Sequence, residues 1–228
     1  MRLRMATVFI LAAAWPLSGM DLEAAFSLGV TVGWAEFSAL HSPSTNAAVE
    51  SLGMATSYAK ACELDSTPLD AILARLAGGA KPDTVYKDIG AARDFYLIAT
   101  GQYKAVCGEG TRSLRSVVSM GYQLGFAEVA SAANWKNSKF LVQTLSWAKD
   151  TAETLPCGFD AASLQSLIDR LAAGAAATEI GADLKIVRQS FADACKSGTV
   201  TGGPQPPVPV EPQTQPQTQE AQPEEATE

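Results

Sequence analysis

The chain has 228 residues, and setting aside its two compositionally distinct ends leaves roughly 175, enough for one ordinary core or two small linked ones. Its 24 acidic side chains outnumber 17 basic ones, for a formal net charge of -7, and no basic stripe offsets the excess, which excludes a nucleic-acid-binding protein. Alanine is abundant, aromatics make up 7% and β-branched residues are scattered, so helices packed through small side chains are expected.

Residues 1–20 read as a signal peptide. Arg2 and Arg4 supply a positive start, Met5 to Leu17 a short apolar run, and both Ala12-Ala13-Ala14 and the Gly19-Met20 region offer a cleavage point. The run is too short to span a bilayer comfortably, so contact with the membrane is expected to be transient. No cysteine follows it to take a lipid. The expected location is periplasmic or secreted.

Helices are predicted next at 22–40, 45–62, 67–78 and 82–103, forming a first unit over 22–107. A second unit over 112–196 repeats the pattern, with helices at 112–134, 137–155, 160–173 and 177–196. The units share sequence as well as spacing. LGVTVGWAE (Leu28 to Glu36) returns 92 positions later as MGYQLGFAE (Met120 to Glu128), and LDAILARLAGGA (Leu69 to Ala80) is answered by LQSLIDRLAAGA (Leu164 to Ala175). Helix ends carry their usual chemistry: Ser66-Thr67-Pro68 starts the third helix and Gly78-Gly79 ends it, while Asp160 or Ser163 starts the seventh and Gly174 ends it. Short connections make neighbouring helices antiparallel. From Thr199 to Glu228 Pro, Gln, Glu and Thr dominate and no Lys or Arg occurs, so 199–228 reads as a disordered acidic tail. The expected fold is all-α, a tandem duplication of a disulfide-braced four-helix unit followed by that tail.

The four cysteines, Cys62, Cys107, Cys157 and Cys195, form no CxxC and stand beside no candidate His ligand, so no metal site is expected and disulfides are. In an up-down-up-down unit the second and fourth helices end on one side. That geometry predicts Cys62–Cys107 and Cys157–Cys195, each worth about 4 kcal/mol in the chain-entropy model.

Gly29 and Gly33 are four apart, as are Gly121 and Gly125, and each pair makes a smooth patch on which another backbone can pack closely. Glu36 and Glu128 lie on the same helix faces. They are expected to pair with Arg93 and Arg188, with Arg75 and Arg170 also matched between the units; alternatively the two carboxylates meet in a ligand or metal site. His41, the only histidine, is expected at the surface, and no catalytic set is found. GEGTRS (Gly108 to Ser113) lacks a P-loop lysine and reads as the inter-unit linker. Trp135 and Trp147, with Phe140 and Tyr122, are candidates to line an apolar groove where the two units differ most.

The stretch from Cys157 through Leu164 and Leu167 to Phe191-Ala192-Asp193-Ala194-Cys195 loosely resembles the disulfide-closed helical end of small periplasmic immunity proteins of the Tai type. The resemblance covers at most one unit and lacks that family's proline before the last cysteine. It implies a scaffold able to serve as a protein inhibitor. Together these features predict an exported helical-repeat protein that binds another protein without catalysis or cofactor. The alternatives are a periplasmic small-molecule or metal binder using Glu36 and Glu128, or an inhibitor of the immunity type.

Overall fold

A computed structural model describes residues 20–41, 45–108, 110–155 and 157–202. Residues 1–19 and those after Gly202, which hold nearly all of the expected signal peptide and acidic tail, lie outside the described residues. Eight helices carry most of what is described: α1 (Leu22–His41), α2 (Thr45–Ala61), α3 (Thr67–Ala77), α4 (Pro82–Thr100), α5 (Leu114–Ala132), α6 (Ser138–Thr154), α7 (Ala161–Ala172) and α8 (Ala177–Cys195). Each boundary falls within three residues of the position read from sequence. Capping explains part of this precision. Asp160 Oδ1 accepts from the N–H groups of Ala162 and Ser163 at the start of α7, and Gly79 and Gly174 take φ of 90° and 98° just past α3 and α7. At α3 the capping acceptor is Asp65, not Ser66: its Oδ1 takes the Thr67 N–H at 2.9 Å, and the Thr67 hydroxyl together with that N–H holds its carboxyl below the usual range.

The fold is not purely helical. Three short strands, β1 (Tyr103–Cys107), β2 (Gly110–Ser113) and β3 (Thr199–Gly202), form an antiparallel sheet in the order β2-β1-β3. Gly110–Ser113, expected as linker, pairs with β1 through Lys104–Ser113 to Cys107–Gly110. Thr199–Gly202, expected as the head of the disordered tail, pairs on the other side, with Ala105 opposite Val200. The Thr-Val-Thr run suits a strand, and the prolines begin only beyond it. The bulk composition of the tail hides those four residues.

The disulfide pairing also differs from expectation. Cys107 bonds Cys157, 50 residues away, and neither Cys62–Cys107 nor Cys157–Cys195 is formed. The physical reason is β1. The chain does not stop at the end of α4; it continues as a strand that carries Cys107 to the α6–α7 connection. The bridge therefore links the first four helices to the second four, rather than bracing each set separately. It also replaces the Cys157–Cys195 closure implied by the immunity-protein resemblance.

Two cores result. One lies within α1–α4 and holds Leu28, Leu52, Leu69, Ile89 and Tyr96; the other lies under α5–α8 and the sheet and holds Leu114, Leu124, Leu145, Leu164 and Phe191. Helix α1 serves both, with fifteen of its 20 residues buried, so it is a central helix rather than an amphipathic surface one. Its most extensive packing is against α5. Gly29 lies against Val118 and Tyr122, and Gly33, one turn on, against Tyr122 and Phe126. The two helices therefore run in the same direction. In return Gly121 lies against Phe26 and Val30, and Gly125 against Val30. A Cβ on Gly125 would stand 2.8 Å from the Val30 backbone Cα, closer than real side chains come. Backbone meets backbone along this seam, and only glycine allows it.

Candidate functional site

The α1–α5 seam places Glu36 and Glu128 in matched positions on its flanks. Arg93 on α4 reaches Glu36 through Nη1, at 3.0 Å to Oε1 and 3.1 Å to Oε2. Arg188 on α8 donates from Nε to Glu128 Oε2 at 2.6 Å. Both pairings are those expected from the spacing. What sequence spacing did not supply is an aromatic partner from the opposite helix. Arg93 donates to the Tyr122 hydroxyl at 3.1 Å and lies 5.1 Å from its ring centroid. Trp34 Nε1 donates to Glu128 Oε2 at 3.3 Å, and Arg188 lies 5.4 Å from a Trp34 ring centroid. Arg75 and Arg170 make a further matched set, bonding Asp88 and Asp183 respectively.

Glu36 is 4% exposed, and burial pushes its carboxyl above the usual range against the pull of the Arg93 guanidinium and the Tyr122 hydroxyl bond. Burial also raises the Tyr122 phenol, with the Glu36 charge adding to the shift. For a ligand or metal site the two carboxylates would need free oxygens, yet each is engaged by an arginine. Among the described residues no group of three or more His, Cys, Asp or Glu side chains is arranged to hold a metal ion.

A second feature opens where α1 ends. Phe37 and His41 meet at a tilt, 4.5 Å between ring centroids, Trp135 meets Phe37 edge-on at 5.7 Å, and Trp135 and Phe140 meet at 5.2 Å. Phe126 joins the cluster, 5.2 Å from Phe37, and connects it to Tyr122 at 6.1 Å. Beside these rings lies an open concavity of about 660 Å³ walled by Phe37, His41, Trp135, Asn134, Lys136 and Asn137. Local backbone builds its floor. Asn134 adopts φ 52° after α5, and the Asn137 side chain caps α6 by accepting the Phe140 N–H at 3.2 Å.

Of the four residues proposed for a groove, the structure thus brings Trp135, Phe140 and Tyr122 into one aromatic cluster. Trp147 is separate: it is 48% exposed on α6 and has no ring contact with the others. His41 is exposed, as expected, but contributes to the wall. Phe37, Asn134, Lys136 and Asn137 were not singled out in sequence. The one available signal for them was the polar ANWKNS run between two apolar helices. Among the described residues no helix is long and apolar enough to cross a membrane. Compared with family models, curated proteins and solved structures, the chain matches none.

Proposed function

We propose that this protein is an exported, non-catalytic protein-binding module made of two copies of one four-helix unit, which takes its partner in the aromatic groove where the copies meet. The groove is the observation that carries the reading. Clustered rings on an open concavity with a polar rim provide the anchor-and-rim chemistry of a protein interface. Asn134 and Asn137 supply hydrogen-bonding groups and Lys136 a positive charge, which favours a partner segment with an apolar anchor flanked by carboxylates.

Duplication is supported by matched interactions in addition to the matched sequence. The reciprocal glycine contacts, the Glu36–Arg93 and Glu128–Arg188 pairs, and the Arg75–Asp88 and Arg170–Asp183 pairs all recur between the two sets of helices. Export is supported by the signal-like N-terminus and by a disulfide, a bond that persists in oxidising compartments.

Photocrosslinking tests the site. A photoreactive residue at position 136 is expected to give one specific adduct in the exported fraction, and the same residue at 87, exposed on α4, none. Trp135→Ala, in a form shown to be folded by circular dichroism, should weaken that adduct at least about tenfold, equivalent to losing one anchor residue. Trp147→Ala should leave it unchanged, as should removal of residues 203–228. Equal adducts from both positions, or indifference to Trp135→Ala, would exclude the groove as the interface.

A further inference from the structure

We propose that Cys62 and Cys195 are joined by a second disulfide in the oxidised protein, tying the end of α2 to the end of α8. Four cysteines can pair in three ways, and the Cys107–Cys157 bridge leaves only this one for complete pairing. In the structure both thiols are unbonded and buried at 0% exposure.

Their placement supports the pairing. Cys62 follows the last residue of α2, and Cys195 is the last residue of α8. Cys62 packs apart from the helix it follows. Ala48, Leu52, Ala55 and Ala59 pack in the α1–α4 core, whereas Cys62 belongs to the other core, the one that contains Cys107, Cys157 and Cys195. Both thiols also lie within electrostatic reach of the head of α1, Cys62 under the influence of Asp21 and Cys195 under that of Glu23 and then Asp21. The end of α8 is held there by two further interactions. Lys196 Nζ lies 3.8 Å from Glu23, and Gly198 packs against Leu22 and the sulfur of Cys107.

Forming the bond removes one proton from each thiol and two electrons from the pair. A disulfide oxidant, such as oxidised glutathione or an oxidised dithiol oxidoreductase, accepts the electrons and is reduced to two thiols. Thiolate attack begins the exchange. In the folded chain, burial and the nearby carboxylates push both thiols up to about 12, so the folded dithiol is nearly inert at neutral pH. The bond therefore closes while the chain folds, before the ends of α2 and α8 are sealed.

The test uses the full chain refolded with oxidised glutathione, so its result does not depend on whether the protein is exported. The product is denatured without reductant, alkylated and digested with trypsin. The expected map joins peptide 61–75 to 189–196 and peptide 105–112 to 150–170, with no alkylated cysteine. Alkylation of Cys62 and Cys195 in a chain that retains the Cys107–Cys157 link would overturn the proposal, as would any other pairing. In a second arm, the chain folded under reductant and then given oxidised glutathione should keep Cys62 and Cys195 unpaired far longer than the refolding chain does. Closure at equal rates in both arms would overturn the folding-coupled route.

Discussion

Glu36 and Glu128 hold matched positions and matched arginines, yet the depth of acid and base is exchanged between them. In the first pair the Glu36 side chain is 5% exposed and Arg93 27%; in the second Glu128 is 16% and Arg188 14%. Both aromatics across the seam touch acid and base alike: Tyr122 places its hydroxyl beside Glu36 and its ring 5.1 Å from Arg93, and Trp34 donates to Glu128 with its ring 5.4 Å from Arg188. Only Glu36 has a further aromatic beside it, Tyr86 on α4. The lesson is that the arginine comes from the pattern within each set of four helices, while the depth of each pair depends on its other neighbours, from the opposite helix and, for Glu36, from α4 as well.

The comparison breaks first at the seam both pairs share. Gly125→Ala drives a methyl into the Val30 backbone and is expected to cost about 4 kcal/mol, despite alanine's better helix propensity. Gly53→Ala, with nothing within 4 Å of the added Cβ, should instead stabilise by up to about 1 kcal/mol. Urea unfolding followed by circular dichroism measures both. A tolerated Gly125→Ala would mean that the helices do not approach this closely.

Next come the arginines. Arg93→Met leaves the deeper carboxylate without its cation and should cost about 3 kcal/mol, against about 2 kcal/mol for Arg188→Met, in the same unfolding measurement. The glutamates should reverse that order. Glu36→Gln leaves Arg93 with Asp94 at 3.0 Å and partial access to water, for a cost of about 1 kcal/mol. Glu128→Gln leaves the more deeply set Arg188 against Trp34, for about 2 kcal/mol. The same ranking for acids and bases would show that burial was not exchanged.

How much of this was legible in the sequence depends on the range of the interaction. Gly29, Gly33, Glu36 and their counterparts sit at helical spacing, and Arg93 and Arg188 fall on helices antiparallel to them, so local periodicity was enough. The Tyr122 and Trp34 contributions were not legible, because they require knowing that α1 and α5 cross side by side in the same direction. The groove was hidden for the same reason: Phe37 and His41 meet Trp135 only through that crossing. The cysteine pairing failed on a shorter scale, since Tyr103–Cys107 was read as the last turn of a helix and the residues just after it, and so could not be seen to bring Cys107 to Cys157.

The smallest expected effect is the dependence on pH. The folded Glu36 carboxyl is raised above its reference value of 4.5, so between 4.5 and that raised value the folded chain binds more protons than the unfolded one. Stability from this group is therefore greatest below 4.5 and is lost as pH rises through the window. Wild type should gain on Glu36→Gln as pH falls from neutral towards 4.5, read as the difference between their urea midpoints. The opposite slope would make attraction to Arg93, and not burial, the stronger influence on Glu36.

The Cys107–Cys157 bond encloses α5, α6 and the exposed Ala133–Asn137 connection between them in one covalent ring. A protease that clips the chain after Lys136 would cut that ring without separating the pieces. The nicked protein would travel as one species on a non-reducing gel and as two once reductant is added. The lip of the groove can thus be severed while both of its walls remain attached to the same molecule.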